Sequence, residues 1–542
     1  MNVSNKSRFR LCLHTGAVSS VFLLLGACTV GPNWRGAPSV GTTTYLPPQG
    51  AAAPSQAVTA PFNPAWWDIF GDAELSSLER RVAAANLDVA AATSRLAESR
   101  AERRVVGAAQ YPSVEANASY ARERASPNGV LGFLGTTQQQ GTATIANGSP
   151  GFGPAGFTGS TGSAPFNLWQ YGFDASWELD LWGRVRRSVE AADAGVEASA
   201  DMRRGVLISV FAETARDYLE LRGVQAQIAV TNENLDIASR SLNLTKLRFA
   251  NGATTNLDVA TAQARVLSIS ASLPALQKQQ AELINALSFM LGEPPRTLGP
   301  ELATPQAIPP VPPSVPIGLP SELAQQRPDI RAAEAQLHQA TAEIGVAKAD
   351  FYPSITLSGS FDLQALQFSN LGSWGSRQYG FGPSISMPLF EGGRLRGTLE
   401  LRKAEQKEAA ITYQRTVLQA WREIDDALTA YNAAQNQRDQ LKLAVDQNHI
   451  ALTLAQEQYA QGSVDLINVL TVQNQLLDTQ QALTQATTDT DVALTGLYKA
   501  LGGGWQQTFP TASIATSKTS RQNMSLPNTI ESAALVTQGS HR

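Results

Sequence analysis

The sequence predicts a mixed α+β membrane protein, and three observations point to it. The chain carries one layout twice. Four segments alternate apolar and polar residues over lengths that suit a bilayer. Two stretches free of proline are long enough for helices that outrun any ordinary domain. The duplication comes first, because overlooking a repeat mis-assigns the whole fold. Gly252, Val259, Thr261, Gln263, Leu273, Leu287, Leu291 and Gly292 return in the same order and spacing as Gly462, Val469, Thr471, Gln473, Leu483, Leu497, Leu501 and Gly502. Asp88, Leu96, Glu102, Val105, Tyr111, Pro112 and Ser113 likewise return as Asp329, Leu337, Glu343, Val346, Tyr352, Pro353 and Ser354.

At the N-terminus Lys6, Arg8 and Arg10 precede an apolar run from Leu11 to Leu25, closed by Gly26-Ala27-Cys28. A basic start, a short apolar core and small residues before a cut mark a secretory signal. The run is too short for a comfortable membrane span. With cysteine directly after the small residues, residues 1–27 resemble a lipoprotein signal, which implies cleavage before Cys28 and a covalent lipid on it. Cys12 would leave with the signal, so the mature chain has no disulfide to form. Residues 28–71 read as an extended N-terminal segment. The formal net charge of −4 becomes more negative once the three basic residues depart, which argues against nucleic acid as a partner.

Past the signal no segment has the apolar length of a spanning helix, so passage through a membrane requires a closed β-barrel. The first repeat, residues 72–293, opens with a helix and then supplies two candidate strands, at about 113–124 and 167–182. In the second of these Trp169, Tyr171, Phe173, Ala175, Trp177, Leu179 and Leu181 alternate with polar residues and Gly172. The second repeat, residues 321–505, supplies strands at about 354–363 and 378–390. Ile355, Leu357, Phe361 and Leu363 line one face of the former, and Tyr379, Phe381, Ile385, Met387 and Leu389 one face of the latter. A half-buried soluble sheet would alternate in the same way. Length near the roughly 9–11 residues of a spanning strand, and aromatics gathered on one face, favour the bilayer. Four strands cannot close a barrel alone, since the smallest common ones have eight. More than one chain must contribute.

The helices follow. No proline interrupts Arg184–Asn251 or Arg394–Gln461, and good helix formers dominate both. Each stretch would reach roughly 100 Å at 1.5 Å per residue. Gly252 and Gly462 come next as reversal points, with return helices to about Met290 and Ala500; Pro274 suggests a kink in the first. Leu441, Ala444, Asn448, Ala451 and Ala455 trace a narrow seam, suited to close-packed helices in a hollow wall. Residues 125–166 read as a polar surface loop, 294–320 as a proline-rich extended connector, and 506–542 as a loose tail.

Catalytic chemistry is not visible. His338 and His449 are the only histidines in the body of the chain, both on expected helices, and no phosphate-binding loop is present. Gly151-Phe152-Gly153-Pro154-Ala155-Gly156 matches a dinucleotide spacing, but proline and the lack of a following helix remove it. No enzyme activity and no metal or organic cofactor is expected.

Several motifs together resemble the TolC-like outer-membrane efflux proteins, in the lipoprotein branch (NodT/OprM-like) that partners resistance-nodulation-division pumps. They are Cys28-Thr29-Val30-Gly31-Pro32-Asn33-Trp34, Trp66-Trp67, Arg327-Pro328-Asp329-Ile330, Phe351-Tyr352-Pro353-Ser354 and Pro388-Leu389-Phe390-Glu391-Gly392-Gly393-Arg394. The resemblance implies a homotrimer with a shared 12-stranded outer-membrane barrel, continued by a long α-helical periplasmic barrel. It implies a passive efflux channel for drugs, dyes or metal ions, anchored by its lipid and also spanning the outer membrane. A periplasmic adaptor would dock at the tips near Gly252 and Gly462, and an inner-membrane pump would supply the energy. Asp465 falls at the place of an acidic constriction ring, with Asp258 close by in the first repeat. The alternatives are a conduit for type I protein secretion and a trimeric surface adhesin. The adhesin would gather its strands near one terminus, whereas here they recur in each repeat.

Overall fold

The computed structural model describes residues 29–38, 56–58, 63–124, 165–316 and 327–509. The signal, Cys28, most of the loop at 125–166 and the tail beyond 509 lie outside the described residues. The elements in chain order are β1 (Gln56–Val58), α1 (Ala73–Ala85), α2 (Leu87–Ala108), β2 (Ser113–Glu123), β3 (Phe166–Glu178), α3 (Arg184–Ala250) and α4 (Asn256–Met290). Then come α5 (Gly299–Leu302), β4 (Ser314–Pro316), α6 (Pro328–Ala349), β5 (Ser354–Ala365), β6 (Arg377–Ser386), α7 (Arg394–Ala460), α8 (Leu466–Leu501) and α9 (Trp505–Thr508).

The four long strands form one antiparallel sheet in the order β2-β3-β5-β6. Ala116, Phe173, Phe361 and Tyr379 stand in one cross-strand row. The apolar face stays uncovered: Phe381 is 86% exposed, Ile385 70% and Tyr379 66%. On the other face Asn117, Gly172, Asp362 and Gln378 share a row. Gly172 is required there, because a Cβ would stand 2.1 Å from Asp362 Oδ1. Both edge strands, β2 and β6, pair on one side only. No helix among the described residues is long and apolar enough to cross a membrane.

Below the sheet α3 and α7, 67 residues each, run the length of the protein. Near the sheet the helices lie abreast as α2-α3-α6-α7, and farther away as α4-α3-α8-α7, following their packing contacts. The helical part is therefore a wall one helix thick. Its flanks are α2 and α4 on one side and α7 on the other. Proline at 274 does not end α4, which runs continuously to Met290.

On α7 the buried column differs from the expected seam. Val417, Ile424, Tyr431, Val445, Leu452 and Tyr459 are buried, on a seven-residue spacing, with the half-buried Arg438 filling the gap. The column keeps its face over many turns because a seven-residue repeat supports left-handed supercoiling. Leu441, Ala444, Asn448, Ala451 and Ala455 flank it half-buried. The larger side chains thus claim the centre of the contact.

The largest apolar core sits at mid-wall, where Trp66, Leu75 and Leu78 pack with Phe211, Leu219, Leu298, Leu497 and Trp505. Two segments are more structured here than their composition suggests. The proline-rich connector contains α5 and β4, and β4 pairs in parallel with β1. Its prolines occupy positions that such a short two-strand pairing tolerates. The first three residues of the expected tail, 506–508, complete α9, whose Trp505 is buried beneath the guanidiniums of Arg204 and Arg331. Burial of a large aromatic outweighs the polar character of its neighbours.

Candidate functional site

The end of the wall away from the sheet consists of two turns, one per repeat. Both close the same way. In the first, Gly252 takes φ 68° while its N–H donates to Phe249 O, and Ala253 N donates to Arg248 O, each at 2.9 Å. In the second, Gly462 takes φ 79°, its N–H donates to Tyr459 O, and Ser463 N donates to Gln458 O, again at 2.9 Å. This is the Schellman closure, in which glycine supplies the left-handed residue and spare helix carbonyls find donors.

The acids beyond the two glycines differ. Asp258 belongs to a capping box at the start of α4. Its Oδ2 accepts from Thr254 Oγ1 at 2.5 Å, Thr255 Oγ1 at 2.8 Å and Thr255 N at 3.0 Å. These donors, the Thr254 hydroxyl foremost, hold its carboxyl below the usual aspartate range. Asp465 is the N-cap residue of α8, yet its exposed side chain makes no capping bond. One tip acid secures a helix start; the other is left facing solvent.

The two hairpins meet through Arg248, near the end of α3. Its Nη1 donates to Tyr459 O near the end of α7, and the guanidinium stands 4.4 Å from the centre of the buried Tyr459 ring. A cation near two helix C-termini is also favoured by both dipoles. Higher in the wall, Asn234 Nδ2 donates to Gln480 Oε1 at 2.7 Å, and Gln473 Nε2 donates to Ser241 Oγ at 2.9 Å. The seam between α3 and α8 thus carries polar cross-links beside an apolar cluster of Leu242, Leu466, Val469 and Leu470. A cavity of about 260 Å³ opens there, lined by Ile237, Ser241, Leu244, Tyr459 and Leu466 among others.

Asp491 is another group the sequence reading did not single out. It is fully buried on α8, where burial pushes its carboxyl well above the aspartate range and the charge of Arg438 opposes that shift. Arg248 was also overlooked. The repeat itself held a signal for it, since the matching position is Gln458 and the symmetry breaks there.

Near the lipid-attachment candidate, the chain from Thr29 to Pro38 lies as a strap at the junction of strands and helices. Val30 N donates to Trp182 O at 3.0 Å, Arg187 Nη2 donates to Asn33 Oδ1, and Trp34 stacks on His338 with centroids 4.9 Å apart. Gly31 abuts Gly345 so closely that a Cβ would lie 2.6 Å from the Gly345 Cα. Cys28 itself is outside the described residues.

A free-edged sheet with an uncovered apolar face, extended by a wall of very long helices, is the architecture that the outer-membrane efflux proteins share. The profile of the outer membrane efflux protein family matches residues 78–293 and 319–503, and the chain belongs to that family. It is 31% identical over 494 residues to the pyoverdine export outer membrane protein OpmQ of Pseudomonas aeruginosa, covering 90% of this chain and 96% of that protein. It is 27% identical over 489 residues to the probable outer membrane lipoprotein SilC of Salmonella typhimurium, covering 90% and 98%. Among solved structures, the outer-membrane channel OprN superposes with a TM-score of 0.76 at 31% identity, over 88% of this chain and 100% of that one.

Proposed function

We propose that three copies of this chain close one barrel and one helical tunnel, the outer-membrane duct of a three-part export system. The observation that carries this reading is the sheet of four strands, open at both edges and apolar on its uncovered face. An unpaired edge needs a partner in lipid, where backbone groups cannot turn to water. The neighbouring chain offers that partner, β2 of one copy meeting β6 of the next. The helical wall repeats the logic: α7 of one copy meets α2 and α4 of its neighbour. Twelve strands and twelve helices abreast result from three copies of four.

In this assembly the uncovered aromatics face lipid, and the row of Asn117, Asp362 and Gln378 faces the lumen. The strap beginning at Thr29 brings the chain to the strand–helix junction, a suitable height for a lipid on Cys28 to enter the inner leaflet. SilC, named as a lipoprotein, supports that anchor. The turns at Gly252 and Gly462 receive a periplasmic adaptor, and an inner-membrane pump drives export of small molecules, whether drugs, dyes or metal ions. Asp465 forms the constriction ring: like charges brought together on an axis repel anions and favour cations. Asp258 adds charge nearby, while its oxygens remain engaged in the cap.

Growth of a deletion strain in antibiotics, dyes, detergents and metal salts, with and without a plasmid copy, tests the reading. Sensitivity reversed by the plasmid is the expected result and identifies the cargo class. Unchanged sensitivity together with loss of secreted proteins would move the function to protein secretion.

A further inference from the structure

The middle lane of the wall consists of two helices in line. α8 comes up from the tip and ends at Leu501, and α6 starts at Pro328 to continue toward the sheet. Both pack between α3 and α7. Arg327, the N-cap of α6, closes the joint. Its Nη1 donates to Ala500 O at 2.6 Å, and its Nη2 donates to Asp329 Oδ2 and to Glu423 Oε2, each at 2.7 Å. One buried guanidinium thus satisfies a spare carbonyl at the end of α8 and is neutralised by two carboxylates.

The joint does not fill the lane. A cavity of about 420 Å³ opens beside it, floored by Ile208 of the mid-wall core and edged by Gly205, Gly496, Asp426 and Lys499. Small-molecule sites commonly measure roughly 300–1,000 Å³. The two glycines keep the space open, since a Cβ on either would meet no atom within 4 Å. Neither has a positive φ, so a side chain there would occupy the cavity without straining the backbone. The charges divide into engaged and free. Arg327, Asp329 and Glu423 line the cavity but are bonded to one another. The Lys499 ammonium has no ion pair or hydrogen bond among the described residues. Asp426 has only Arg422, 3.9 Å away, with both side chains largely exposed.

Leu207 and Phe211 of α3, with Leu497 and Leu501 of α8, are buried in the core that α1, α5 and α9 cover. Ser209 and Lys499, about half a turn round the same helices, are exposed. The cavity therefore lies on the side of the wall away from α1, α5 and α9. In a closed tunnel those shorter helices belong outside, because three sets of them inside would obstruct the passage. The cavity then opens to the lumen.

We propose that this cavity is a luminal docking site for zwitterionic small molecules, the ammonium end meeting Asp426 and the carboxylate end Lys499. Its place in the lumen rests on the trimeric duct proposed above, whereas the site itself belongs to one chain. Apolar atoms of the cargo lie on Ile208, Pro328 and Ala500. Exposed ion contacts are weak. That suits a conduit, which must release what it holds.

Past the signal the chain has no cysteine except Cys28, so Ser209→Cys puts a distinguishable thiol at the cavity. Full-length, detergent-solubilised protein with this change is treated with N-ethylmaleimide, and modification at position 209 is followed by mass spectrometry. The probes are the dipeptide alanyl-phenylalanine with both ends free, its N-acetyl form and its C-terminal amide. Rates are compared with and without probe in each variant. The free dipeptide should slow modification several-fold, and the two capped forms should have little effect. With Lys499→Gln added, the free dipeptide should lose its advantage over the amide; with Asp426→Asn, its advantage over the N-acetyl form. Gly496→Leu, which fills the cavity, should abolish protection by all three. Equal protection by the three forms, protection by none, or protection that survives Gly496→Leu overturns the site. Copy number, read by native mass spectrometry on the same samples, separates the two proposals. A trimer without protection overturns the site alone, and protection in a particle of another size overturns its luminal placement.

Discussion

The two hairpins share residues at matching spacing, yet they pack differently. The first returns through α4, which buries only six of its 35 residues. The second returns through α8, which buries nineteen of 36. The reason is position in the wall: α8 packs between α3 and α7, whereas α4 has α3 as its one long neighbour. The tip acids diverge in parallel, Asp258 tied into a cap and Asp465 free. The two hairpins share a shape, and one takes the flank of the wall while the other takes its interior.

The largest effect should come from breaking the interior hairpin. Leu476, fully buried on α8, when changed to Ala should destabilise the protein by about 2–5 kcal/mol. Leu267 on α4, 59% exposed, when changed to Ala should alter the fold of the single chain by less than about 0.5 kcal/mol. It should instead loosen assembly. Chemical denaturation compared with native gel mobility separates the two outcomes.

Next in size is the tie between the hairpins. Arg248→Ala removes a charged hydrogen bond, a contact worth about 1.5–3 kcal/mol, and leaves the tips free to part. Single-channel conductance in a planar bilayer should rise, while Gln458→Ala, at the matching place of the other repeat, should leave it unchanged.

A smaller effect is expected at the first cap. Thr255→Ala should cost about 1 kcal/mol and speed amide exchange in the first turn of α4. The cap should also resist acid. The Asp258 carboxyl is depressed in the folded state, so its contribution is present above the ordinary aspartate range. It is lost only as pH falls through the lower folded value. Exchange protection at this turn should therefore outlast ordinary aspartate titration on lowering the pH.

Asp465→Ala should change stability least, because no capping bond is lost. Its signature is functional: higher conductance and weaker preference for cations. Unaltered conductance and ion preference would remove Asp465 from the constriction.

What could be read from the sequence follows from the range of the forces involved. The long helices and their reversals are local matters, set by absent proline and by Gly252 and Gly462 in the left-handed region. The strands were legible because alternation such as Trp169, Tyr171, Phe173 is itself the signal of a two-faced sheet. Contacts between distant segments were not legible. Nothing near Arg248 announces Tyr459, and β1 pairs with a proline-rich strand whose composition suggests only an extended strap. Residues 506–508 looked like the beginning of a tail, yet they complete a helical turn anchored by Trp505, which lies under Arg204 and Arg331. Burial also chose Val445, Leu452 and Tyr459 for the α7 seam over the smaller residues beside them, a choice made by the facing helices.

Native mass spectrometry of the detergent-extracted protein tests the shared barrel most directly. Three copies per particle are expected, because the open strand edges and the open wall flanks must close together. A monomeric particle, or one of any other copy number, would contradict the duct as described.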